Sequence, residues 1–304
     1  MSQNNPRPAF FKNWLAWLGI GMGSLIAHLP WACYKPLAWC LSLLMRTFMI
    51  RRGRIARRNI ELCFPELSQA QQKTLWRKSF DSLAFSAFEF ARGWWGNLRK
   101  QEIMQPINGL QHLLEATNAG KGVILVSPHL TTLEYCNKIL AQHVSMAAMY
   151  RPFDSEVLEW SVLHGRLKIG SMFKRDELRA SLRYLKSGGI LWFAADQETR
   201  RGDSVFVPFF KQQAYSLTST HQMAKLSKAS VHTFFHQRLP DGSYAIEISP
   251  ALENFPTDDP VQDTARVMSL FEQMIRRCPE QYLWVHARFK RQPDGKSLYQ
   301  SIKT

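Results

Sequence analysis

The chemistry most readily available in this sequence lies in a histidine and a glutamate separated by four residues. His129 and Glu134 stand in Ser127-Pro-His129-Leu-Thr-Thr-Leu-Glu134, directly after the apolar run Val123-Ile-Leu-Val126. An imidazole with one ring nitrogen bonded to a carboxylate keeps the other nitrogen free to take a proton from a hydroxyl. His129 would leave a strand, and Glu134 would sit in the first turn of the next helix. The intervening turn is therefore expected to fold Glu134 back toward the imidazole. A helix amino terminus nearby favours neutral imidazole, the form a base needs. The same residues have a plainer meaning, because Thr131-x-x-Glu134 is a capping box in which Glu134 would serve only the helix. Ser127 lacks the G-x-S-x-G elbow of a serine nucleophile. Two more polar clusters follow apolar runs: Tyr150-Arg151-Pro152 and Ala195-Asp196-Gln197-Glu198. Asp196 reads equally well as a turn cap and as a site group.

These clusters need elements to bring them together. Residues 123–126, 146–150, 190–194, 231–235 and 244–248 read as strands. Residues 131–144, 154–168, 176–187, 215–228 and 259–278 read as helices. A further helix follows the Ser68-x-x-Gln71 capping box and ends near Gly93. Such alternation predicts an α/β fold, a mostly parallel central sheet flanked by helices. In such sheets, sites form beyond the carboxyl ends of the strands, where all three clusters lie.

The amino-terminal segment differs in character. Asn13 to Leu29 contains no Lys, Arg, Asp or Glu, and a second apolar stretch follows Pro30. A membrane span needs roughly 20 apolar residues, so this segment just qualifies as an N-terminal hydrophobic membrane helix, spanning or lying in the interface. Arg51, Arg52, Arg54, Arg57 and Arg58 come next, which predicts a body on the cytoplasmic side. No small-x-small cleavage site follows the apolar run, so retention is expected. Residues 1–50 are read as the anchor segment and 51–304 as the catalytic domain.

The composition supports this division. Lys and Arg number 39 against 24 acidic residues, a net charge of +15, which calls for a negatively charged partner. Nucleic acid is disfavoured, because no recognition motif is present and the basic cluster abuts an apolar segment. Ten Trp and 19 Phe suit a lipid surface. The five cysteines are scattered and read as reduced thiols. His232 and His236 fall on one strand face without a partnering Cys or carboxylate, so no metal is expected. No dinucleotide or phosphate-loop motif indicates a cofactor.

SPHLTTLE, YRPFD, HGR, AADQE with VFVPFF, and QYLWVHARFK occur in order. Together they resemble the lipid A biosynthesis secondary (lauroyl/myristoyl) acyltransferases, within the lysophospholipid acyltransferase group. The resemblance extends from the hydrophobic amino terminus almost to the carboxyl terminus. It implies an inner-membrane enzyme facing the cytoplasm, with acyl carrier protein as acyl donor and a lipid A precursor as acceptor. Anionic membrane lipids would be its surroundings. It further implies His129 and Glu134 as the catalytic pair, with Arg166 and Asp196 around the site; Arg151, from the second polar cluster, is read as a further substrate-binding residue. Arg166 could clamp an acceptor phosphate or simply be a surface arginine. Lys211 departs from the family pattern, in which Gly usually follows VPFF. The alternatives are a glycerol-phosphate or other lysophospholipid acyltransferase, and a non-catalytic lipid-binding relative.

Overall fold

A computed structural model describes residues 6–198, 202–300 and 302. The chain begins with helices α1 (Trp14–Ala27), α2 (Tyr34–Phe48), α3 (Ile50–Cys63) and α4 (Gln69–Trp95), then short α5 (Lys100–Ile103) and α6 (Leu110–Asn118). The alternating part runs β1 (Val123–Ser127), α7 (Leu133–Leu140), β2 (Met146–Tyr150), α8 (Glu156–Leu167), β3 (Gly170–Lys174), α9 (Leu178–Lys186) and β4 (Ile190–Ala194). A hairpin of β5 (Ser204–Phe209) and β6 (Gln212–Leu217) follows. The remainder is α10 (Ser219–Ser227), β7 (Ser230–Arg238), β8 (Tyr244–Ile248) and α11 (Pro260–Arg277).

Six strands form one sheet in the order β3-β2-β4-β1-β7-β8. The first five are parallel, and β8 closes one edge antiparallel to β7. The expected α/β fold, with a mostly parallel sheet flanked by helices, is thus observed. Alternate residues of the central strands feed two separate cores. Ile124, Val126, Leu191, Phe193 and Val231 face one, while Val123, Leu125, Ile190, Trp192 and Phe234 face the other. A sheet covered on both faces explains why these strands read as unbroken apolar runs.

Two assignments from the sequence need correction. The helix expected from Tyr215 begins only at Ser219, because residues up to Leu217 pair with β5. The strands read from the sequence include neither β5 nor β3, which lies at the sheet edge with its ends partly or fully exposed.

The amino-terminal helices also differ from a simple span. Among the described residues no single helix is long and apolar enough to cross a membrane, so the expected membrane helix is not confirmed. The pair Phe11–Ala27 and Trp31–Phe48 passes that test jointly but is bent by 116°. Pro30 sits at the bend, and α1 and α2 both pack against α4. Phe10, Phe11, Leu15, Leu25, Trp39 and Phe48 remain exposed. Arg51, Arg52, Arg54 and Arg57 are exposed on α3.

Candidate active site

Strand register brings the first two site residues together. β1 and β4 are adjacent and parallel, with Ser127 opposite Ala194. Two residues further along each chain stand His129 and Asp196. The buried Asp196 carboxylate accepts hydrogen bonds from the His129 backbone N–H, at 3.1 Å, and from its Nδ1–H. With Nδ1 donating, the lone pair resides on Nε2, the nitrogen available to a substrate. The His129 side chain retains 28% exposure, so its ring is open to solvent.

Burial alone would raise the Asp196 carboxyl. The charge and hydrogen bonds of His129, joined by the Tyr282 phenol, outweigh it and bring the group down to about 2. Asp196 therefore stays ionised, as the holder of a base should. The segment carrying Tyr282 is zipped onto the His129 loop. Thr131 N–H donates to the Gln281 carbonyl at 2.7 Å, and Leu283 N–H donates to the His129 carbonyl at 3.1 Å. Burial pushes His286, near the same pair, down to about 4 and keeps it neutral. Its Nε2 finds no hydrogen-bond partner among the described residues.

Glu134 is placed differently from the expectation. Its carboxylate accepts from Trp94 Nε1 at 3.1 Å and from Arg166 Nη2, and the carboxylate on the imidazole is that of Asp196. The cause is geometric: in the first turn of α7 Glu134 turns toward α4 and α8 rather than back to the strand end. Arg166, nearly buried, lies 5.5 Å from each of the Trp94, Tyr150 and Phe153 rings. Such enclosure suits the weakly hydrated guanidinium better than an ammonium. Arg151 stays at the surface, 3.0 Å from Asp154, apart from these contacts. The structure thus assembles two pairs, His129–Asp196 and Glu134–Arg166.

Other candidates are occupied structurally. Ser127 is fully buried and accepts from Trp192 Nε1 at 3.1 Å. The ring nitrogens of His232 bond to Ser230 and Ser249, and Nδ1 of His236 bonds to Thr132. Among the described residues no cluster of three or more His, Cys, Asp or Glu could hold a metal ion. Tyr282 stands in the QYLWVHARFK motif but carries no role readable from it, and Trp94 has no motif at all, because each acts across long sequence separation and no local spacing marks its partner.

A mostly parallel sheet carries, at its carboxyl end, an ionised carboxylate bonded to a partly exposed imidazole, an arrangement chemically able to accept a proton. Comparison with known proteins narrows the class. The family model for bacterial lipid A biosynthesis acyltransferase matches residues 1–291. The lipid A biosynthesis lauroyltransferase of Escherichia coli K12 is 34% identical, covering 93% of this chain and 94% of its own length. The palmitoleoyltransferase of the same strain is 35% identical over 94% of both chains. Its myristoyltransferase is 26% identical, covering 93% of this chain and 89% of its own. The chain belongs to the bacterial lipid A biosynthesis acyltransferase family and is an acyltransferase.

Proposed function

We propose that the protein transfers a fatty acyl chain from the thioester of acyl carrier protein to a hydroxyl of a lipid A precursor at the cytoplasmic face of the inner membrane. The observation carrying this reading is the free Nε2 of His129, set by the Asp196 carboxylate on Nδ1. Nε2 takes the acceptor hydroxyl proton, and the oxygen attacks the thioester carbonyl carbon. The carbon–sulfur bond breaks, and the imidazolium returns its proton to the departing thiolate. Thioester activation removes the need for an acyl-enzyme.

Glu134 acts through Arg166 in this scheme. It fixes the guanidinium, whose remaining N–H donors serve the anionic oxygens of the reaction and of a phosphorylated acceptor. The exposed apolar side chains of α1 and α2, beside the arginines of α3, support residence at an anionic lipid surface. The same basic surplus suits an acidic carrier protein.

The test incubates the purified protein with several acyl-carriers and lipid A precursors and identifies the product by mass. Wild type should yield an acylated precursor, and His129→Ala should lower turnover by about 10²–10⁴-fold, the usual contribution of a positioned base. Undiminished transfer by His129→Ala would overturn the mechanism. Absence of any acylated product would favour a lipid-binding role instead.

A further inference from the structure

Two adjacent tryptophans close the carboxyl end of α4, and each reaches a different part of the molecule. Trp94 donates its indole N–H to Glu134, and its ring lies 5.5 Å from the Arg166 guanidinium. It also lies against Gly165 of α8, where an added Cβ would stand 3.2 Å from Cε3 of the ring. Trp95 donates to Ser161 Oγ of α8 at 2.8 Å. Its ring occupies the space above Gly23 of α1, where a Cβ would come within 2.2 Å of Cζ3. Gly96 caps α4 against the end of α1, a Cβ there meeting the Ala27 carbonyl at 2.8 Å. A third link joins the same helices: Trp17 of α1 packs edge-on against Trp160 of α8, with the Arg7 guanidinium over both rings.

The helix that carries Arg166 is therefore wedged between the Glu134–Trp94 contact and the apolar amino-terminal helix. We propose that Trp94 and Trp95 are positioning residues for acyl transfer: Trp94 aligns the Glu134–Arg166 pair, and Trp95 ties that alignment to the seating of α1. Neither touches reacting atoms. The inference rests on the acyl-transfer reading for its catalytic consequence. Its structural half, coupling of α1 to the ion pair, stands on packing alone. Glycine at position 23 is what this arrangement requires, since any side chain there overlaps a rigid indole, while at Gly165 a Cβ would meet the Trp94 ring in a tight contact.

The experiment uses the full chain in mixed micelles with Trp94→Phe, Gly23→Leu and the double variant Gly23→Leu/Trp95→Ala. Trp94→Phe keeps a ring against Gly165 but loses the N–H to a carboxylate, so kcat should fall about tenfold with KM for both substrates within about twofold. Gly23→Leu, far from the reacting atoms, should lower kcat about fivefold by displacing Trp95. The double variant relieves the clash but also removes the indole bonded to Ser161, so kcat should stay about fivefold below wild type, and recovery to the wild-type value would overturn the positioning role of Trp95. Hydrogen exchange supplies a readout independent of turnover. Amides of residues 133–136 and 160–167 should exchange at least about fivefold faster in Gly23→Leu than in wild type. Unchanged exchange in those segments overturns the coupling even if the wild type proves to have no transferase activity. Wild-type kcat in Trp94→Phe, with transfer established, overturns the alignment role.

Discussion

Asp196 and Glu134 are both carboxylates held by side-chain partners, yet their surroundings give them different work. Asp196 is buried, receives two hydrogen bonds from His129, and is held at about 2. Glu134 is partly exposed and neutralised by Arg166. Asp196→Asn should remove the charge that favours imidazolium in the transition state and reduce kcat on the order of 10³-fold. The same variant should change the acid sensitivity of the fold. A carboxyl lowered from 3.8 to about 2 contributes stability that is complete above 3.8 and lost as pH falls toward 2. Denaturation midpoints of the wild type should therefore decline across that window more steeply than those of Asp196→Asn. The sequence disclosed His129 and its chemistry, and it placed Asp196 after a strand. It could not reveal which carboxylate reaches the imidazole, because that depends on the pairing of Ser127 with Ala194 across a gap of 67 residues between His129 and Asp196.

The elements most legible in the sequence are the buried ones. Strands β1, β2 and β4 are short apolar runs in the interior of the sheet, and the end of α9 comes close to the chain just before β1. At Gly122, a Cβ would lie 2.2 Å from the Leu185 carbonyl oxygen. Gly122→Ala should therefore destabilise the protein by about 1–3 kcal/mol through forced backbone displacement. The measurement is denaturant unfolding, and the kcat of the folded fraction should hold, since His129 lies at the opposite end of β1. The β5–β6 hairpin was illegible for a definite reason. Its two-residue turn, Phe210-Lys211, lacks the Asn-Gly signal, and Phe210 takes a φ of 53°. Tertiary contacts hold it there: Glu272 accepts the Phe210 N–H at 2.6 Å, and the ring packs on Phe64 and Trp284. Local sequence carries no trace of such support.

At the scale of the whole molecule, a charge of +15 coexists with a belt of exposed apolar side chains on α1 and α2. On the proposed reading both would contribute to adsorption on anionic lipid, the first screened by salt and the second not. Co-sedimentation with anionic vesicles should weaken as ionic strength rises without vanishing, whereas neutral vesicles should show only the salt-insensitive part. Vesicle size adds a further axis to that measurement. Two apolar helices, the second bent 116° from the line of the first, form a wedge too short on either arm to reach the far side of a bilayer. If the protein seats on lipid as proposed, such a wedge would widen one monolayer and leave the other untouched, so small, strongly convex vesicles with gaps between their headgroups should capture it more readily than large flat ones of identical lipid.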